Sequence, residues 1–215
     1  MAEGWAQTVH TDEAIRGETY SLLARLFSAA PDADLLATLA SAAGEPAGGP
    51  VGEAWSALGE AAGITGAGVA DDEFHALFIG LGRGEVVPYA SWYLTGFLMG
   101  RPLVSLRSRL AALGFERQPD VSEPEDHVAA LFDVMAALAH PEQGEDLAVQ
   151  QQFFAEYLAP WVERFMDDVQ QSENAAFYAA AARLGQRFAV LEKQYLGLAE
   201  GAAAVAVPTT GSGES

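Results

Sequence analysis

The sequence predicts an all-α protein, a single globular bundle of about eight to ten helices. Ala and Leu dominate the composition, and apolar positions recur at spacings of three and four more often than two, the helical period. Half of the 215 residues are hydrophobic and only 19% are charged, so the chain can bury a core of its own. There is no cysteine, which removes disulfides, thiolate-bound zinc and iron–sulfur clusters as stabilising devices.

The elements follow in order. Thr11 with Asp12 and Glu13 marks a helix start, Leu22, Leu23, Leu26 and Phe27 lie on one face, and Pro31 closes the helix. A second helix is expected from Asp32 to Ala43. Gly44 to Gly52 holds four glycines and two prolines and reads as a loop. Short helices fit 53–62 and 71–79, after which Gly80, Gly82, Gly84 and Pro88 break the chain. Residues 91–99 and 102–113 read as helical, the second ended by Gly114. Ser122-Glu123-Pro124-Glu125 has the form of a capping box, Ser122 capping and Glu125 reaching back, with proline in the first turn. It predicts a helix over 122–139 whose core stripe is Val128, Leu131, Phe132, Met135 and Leu138, closed by Pro141. Further helices fit 145–158, 160–171 with Pro160 at its start, and 174–197 with Phe177, Leu184, Phe188, Leu191 and Tyr195 as its apolar positions. The composition of 201–215 is that of a disordered tail.

A net charge of −19 argues against a nucleic-acid partner, which calls for clustered cations, and favours cationic partners instead. The charge is divided along the chain. Residues 116–173 carry 14 acids and 2 bases, whereas residues 81–117 carry five arginines and two acids. The first 18 residues lack the basic-then-apolar order of a secretory signal, and no run of about 18 apolar residues occurs. A cytoplasmic protein without a membrane span is expected.

Most catalytic chemistries lack their residues here. The single lysine, Lys193, is followed by Gln194, so no phosphate loop exists, and the glycines at 80, 82 and 84 lack the dinucleotide spacing. The four histidines form no H-x-x-x-H pair, and Asp72-x-x-His75 and Glu123 with His127 are half-motifs, so no metal or other cofactor is expected. Neither a cysteine nor a G-x-S-x-G nucleophile is present.

Two clusters remain. Pro88-Tyr89-Ala90-Ser91-Trp92-Tyr93 puts three aromatics in five residues, too many for one helical face. Ser122-Glu123-Pro124-Glu125-Asp126-His127 puts three carboxylates and an imidazole in one turn, more acid than a helix cap requires. A guanidinium seeks paired carboxylate oxygens and an aromatic plane, so the two clusters together read as a receptor for an Arg-bearing peptide. An acidic adaptor for some other basic peptide, or a metal-dependent enzyme, are the alternatives.

Pro88-Tyr89-x-Ser91-x-Tyr93, Glu123-Pro124-x-Asp126-His127 and Leu158-x-Pro160-Trp161 resemble, in order and spacing, the TorD/DmsD family of redox-enzyme maturation chaperones. The resemblance covers about residues 71–197, with Phe153, Phe154 and Phe165 also at family aromatic positions. Ala90 and Tyr157 depart from the Glu and His that many members carry. The resemblance implies a non-catalytic, cytoplasmic helical chaperone for the catalytic subunit of a molybdopterin oxidoreductase. Such a protein binds the twin-arginine leader and holds the apo-subunit until its molybdenum cofactor is inserted. By position, Glu123, Pro124, Glu125, Asp126 and His127 would form the leader- and client-binding surface, and Tyr89, Ser91, Trp92 and Tyr93 the neighbouring groove. The resemblance further implies halves at about 1–114 and 122–197, a hinge at 115–121, and a monomer or a dimer that exchanges halves.

Overall fold

The computed structural model describes residues 2–42, 48–79, 84–117, 123–142 and 144–198. Ten α-helices occur among them: α1 (Ala2–Ser28), α2 (Ala33–Ser41), α3 (Pro50–Ile64), α4 (Ala67–Phe74), α5 (Ala90–Thr95), α6 (Arg101–Ala112), α7 (Val128–Leu138), α8 (Leu147–Tyr157), α9 (Val162–Gln171) and α10 (Phe177–Tyr195). A π-helical turn, His75–Ile79, prolongs α4. The expected all-α class holds, with one isolated antiparallel bridge, Tyr89 to His127, as the only β-type pairing among the described residues.

Local signals explain several ends. The Asp32 carboxylate caps α2 by accepting from Leu35 N at 2.8 Å. Gly114, at φ +80°, closes α6: its N–H reaches Ala111 O at 3.1 Å and that of Phe115 reaches Leu110 O at 2.9 Å. These are the paired bonds of a Schellman end, which a left-handed residue makes possible. Pro50 opens α3 two residues before the end of the anticipated loop, because its fixed φ suits the first helical position.

Elsewhere local signals mislead. Helix α1 starts at Ala2 rather than Thr11, since capping residues favour a start without forbidding passage and no proline stands before them. Helix α7 starts at Val128 rather than 122. Ser122 lies outside the described residues, and Glu125, the supposed other half of the box, turns to Arg107 instead. Pro160 precedes α9 by two residues. In α10, Leu191 and Tyr195 are 44% and 38% exposed, and the side chain that turns inward at that end is Glu192. The expected tail 201–215, the glycines 80 and 82, and residues 118–121 of the hinge lie outside the described residues.

Packing centres on α10, which lies against α9, α3, α4 and α1, while α1 runs along α7. At Gly185 a Cβ would stand 2.5 Å from Met166 Cε, so the missing side chain lets α9 approach α10. The centre is aromatic: Phe27 meets Phe165 at 5.3 Å and Phe78 meets Tyr178 at 5.3 Å, both edge to face. One ion pair is embedded in this packing. Arg16 of α1 forks onto both oxygens of Glu192, each at 2.7 Å, and Tyr20 donates to the same carboxylate at 2.8 Å. The first helix is thus fixed to the last.

Candidate functional site

Tyr89 stands at the N-cap of α5 and His127 at the N-cap of α7, so the backbone bridge sets two helix N-termini side by side. Ala90 N donates to Asp126 O at 2.9 Å and Val128 N to Pro88 O at 2.8 Å. The Tyr89 and His127 rings meet edge to face at 5.1 Å. Both sequence clusters therefore converge, as their composition implied.

Their side chains divide into two groups. Ser91 and Asp126 are buried, at 0% and 1% exposure. The Asp126 carboxylate accepts from Ser91 N at 2.9 Å and so caps α5 from 35 residues away, where Tyr89 supplies no side-chain cap. Its other oxygen, Oδ1, is buried without a hydrogen-bond donor among the described residues. His127 Nδ1 accepts from Ala129 N at 3.2 Å, which caps α7 and requires the proton on Nε2. Burial lowers the His127 pKa, partly offset by the nearby Glu123 and Asp126 carboxylates.

Glu125 is held by Arg107, at 2.8 Å, with Arg117 at 3.8 Å. Partial burial raises its pKa, but the Arg107 bond and the Arg117 charge outweigh that and the net shift is downward. Two of the three carboxylates in this turn thereby have structural work: Asp126 caps α5 and Glu125 pairs with two arginines. Of the three, Glu123 is the exposed one, and it accepts from the Tyr89 hydroxyl. Burial, then this bond, raises the Tyr89 pKa and keeps the phenol a donor. Pro124 is half-buried.

The aromatics divide likewise. Tyr93 stacks on Trp161 at 5.4 Å, donates to Asp168 at 2.7 Å, and has the Arg164 guanidinium 5.7 Å from its ring centre. Tyr93 together with Trp92 also walls an open groove of about 290 Å³ between α5 and α9, lined further by Glu85, Val86, Val87, Asp168, Gln171 and Ser172. Glu85 accepts from the Ser172 hydroxyl and the Asn174 amide. Two exposed carboxylates beside an indole form a chemically sufficient seat for a guanidinium. Glu85, Asp168, Gln171 and Ser172 were not legible as site residues, although helical spacing does place Arg164, Asp168 and Gln171 on the polar face of α9. Among the described residues no group of three or more His, Asp or Glu side chains is placed to hold a metal ion. Nor is any helix among them long and apolar enough to cross a membrane.

A family model described as the nitrate reductase delta subunit, the TorD family, matches residues 45–167, more than half of the chain. The chain belongs to that family. The chaperone protein TorD of Vibrio cholerae is 34% identical over 133 residues, covering 58% of this chain and 60% of that protein. That of Shewanella loihica is 30% identical over 202 residues, covering 85% of this chain and 93% of that one. The chain thus spans about three fifths of the length of the Vibrio relatives that it matches. A crystal structure of an Archaeoglobus fulgidus protein assigned to redox enzyme maturation shares the fold, with a TM-score of 0.54 at 19% identity over 80% of this chain and 92% of that one. The TorD-family match spans α3 to the middle of α9, and so takes in both helix N-termini of the site.

Proposed function

We propose that this TorD-family chain is a cytoplasmic chaperone, not an enzyme, for the catalytic subunit of a molybdopterin oxidoreductase. It binds the subunit's twin-arginine leader and holds the apo-form until the molybdenum cofactor, which belongs to the client, has been inserted before export. The observation that carries this reading is the groove in which Trp92 and Tyr93 face the Glu85 and Asp168 carboxylates. Family membership and the chaperone names of the relatives support it.

Glu85, Asp168 and Glu123 are the solvent-exposed carboxylates that an incoming guanidinium would meet, each already accepting from a neighbouring side chain, with Trp92 beside the first two. Ser91, Asp126 and His127 hold the helix N-termini that position this surface, and Pro124 and Glu125 shape the same turn.

Titration calorimetry with a synthetic leader peptide containing an Arg-Arg pair tests the reading. Affinity that falls with salt, drops roughly tenfold when both arginines become lysines, and drops similarly in Asp168→Asn is expected. An affinity indifferent to all three changes would overturn it. For the client, affinity capture from cells expressing respiratory oxidoreductases should recover a molybdoenzyme catalytic subunit lacking its cofactor.

A further inference from the structure

A guanidinium of this chain already rests on one wall of the acidic groove. Arg164, an exposed residue of α9, donates through Nη2 to the backbone oxygen of Tyr93 at 2.8 Å and stands 5.7 Å from the centre of the Tyr93 ring. Tyr93 lies in the last turn of α5, where carbonyl oxygens run out of helical partners. Gly96 N takes Trp92 O at 2.8 Å, and Arg164 takes the next carbonyl in line.

Arg164 and Asp168 are four residues apart on one helix and so are neighbours on its surface, yet they form no ion pair among the described residues. Tyr93 mediates between them: its hydroxyl donates to Asp168 at 2.7 Å while its backbone oxygen receives Arg164. Glu85, the other groove carboxylate, is also met by neutral donors, the Ser172 hydroxyl and the Asn174 amide. Both carboxylates thus lack a cationic partner among the described residues, while a guanidinium is parked on the tyrosine beside them.

An aromatic ring with an oxygen acceptor is the setting in which this groove would also receive a client's arginine. A guanidinium that bonds Asp168 takes the place of the Tyr93 hydroxyl and comes close to Arg164, and like charges in so small a groove repel. Arg164 is exposed and holds a single hydrogen bond, so water can replace that partner when the side chain swings away. We infer that Arg164 is a built-in competitor for the leader: it occupies Tyr93 until the leader's arginine displaces it, which weakens leader binding and speeds release. This rests on the leader-binding reading above and adds to it an affinity-setting residue outside both sequence clusters.

Titration calorimetry of the full chain with the Arg-Arg leader peptide, together with stopped-flow dissociation, tests it. Arg164→Gln, which removes the charge, should bind roughly threefold to tenfold more tightly than wild type and release the peptide more slowly. Arg164→Lys keeps a cation able to donate to the same carbonyl and should stay near wild type. Arg187→Gln removes the same net charge from an exposed position on α10 that does not line the groove, and should leave affinity within about twofold. Circular dichroism of each variant should match wild type. If Arg164→Gln binds no more tightly than wild type, the Tyr93 contact only braces α5, and the inference is overturned while the leader reading stands. Equal tightening in Arg187→Gln would trace the effect to net charge and overturn it as well. If neither wild type nor Arg164→Gln binds the peptide, both readings fail.

Discussion

Asp126 and His127 sit in a turn whose composition suggests a receptor, yet each directs a polar atom to a backbone amide at the start of a helix. Asp126→Ala should therefore lower unfolding free energy by roughly 2–3 kcal/mol, because it strands the buried Ser91 amide, whereas exposed Glu123→Gln should leave the urea midpoint unchanged. Lost peptide affinity in Asp126→Ala would then accompany lost stability rather than lost contact. His127 adds a pH dependence of definite sign. Burial holds its folded pKa below 6.5, so the unfolded chain binds more protons as pH falls. Its contribution is complete above pH 6.5 and is lost as pH drops through the folded value; Glu125, also depressed, acts in the same direction but only as pH falls from the ordinary carboxylate range toward its lowered value. His127→Asn, which can cap without titrating in this range, should flatten the urea midpoint between roughly pH 7 and 5. At this scale the sequence located the residues but not the direction of their side chains. What buries Asp126 is an amide 35 positions away, and no local pattern records that.

Helix N-termini here are repeatedly capped from a distance. Glu73 of α4 accepts from Ala176 N at 2.8 Å, Phe177 N at 3.1 Å and Tyr178 N at 2.6 Å, supplying the start of α10 with the acceptor that Ala176 cannot. Glu73→Ala should lower stability by roughly 2–4 kcal/mol in urea unfolding, and Glu73→Gln by less, since one acceptor oxygen remains. This habit also explains which elements were legible. The number and rough extent of the helices follow from apolar spacing, which burial enforces: Val128, Leu131, Phe132, Met135 and Leu138 are all buried as expected. Starts were misread where a local cap competes with a distant partner. At Glu125 the box signal loses to the bridge between segments 88–90 and 126–128 and to the Arg107 pair. Gly114 was read correctly because its motif closes within six residues of one helix.

Over the whole molecule, helices of the two expected halves pack against each other. Helix α1 lies on α7 and is joined to α10 by the Arg16–Glu192 pair, and α3 also lies on α10. No sequence signal shows this, because Arg16 and Glu192 are 176 positions apart and each alone reads as a surface charge. Removing one partner leaves a buried charge: Arg16→Met should lower stability by roughly 3–5 kcal/mol, and adding Glu192→Met should restore much of the loss. The same packing governs any exchange of halves. A fragment ending at Arg117 would contain α1 without α7 and α10, and should stay unfolded alone by circular dichroism but recover helicity when coexpressed with residues 118–215. A dimer formed by exchange through the 115–121 segment must rebuild the Arg16–Glu192 pair between chains. Arg16→Met should then weaken monomer and exchanged dimer alike and leave their ratio unchanged by light scattering. A dimer that survives Arg16→Met while the monomer unfolds would show instead that the copies meet on another face.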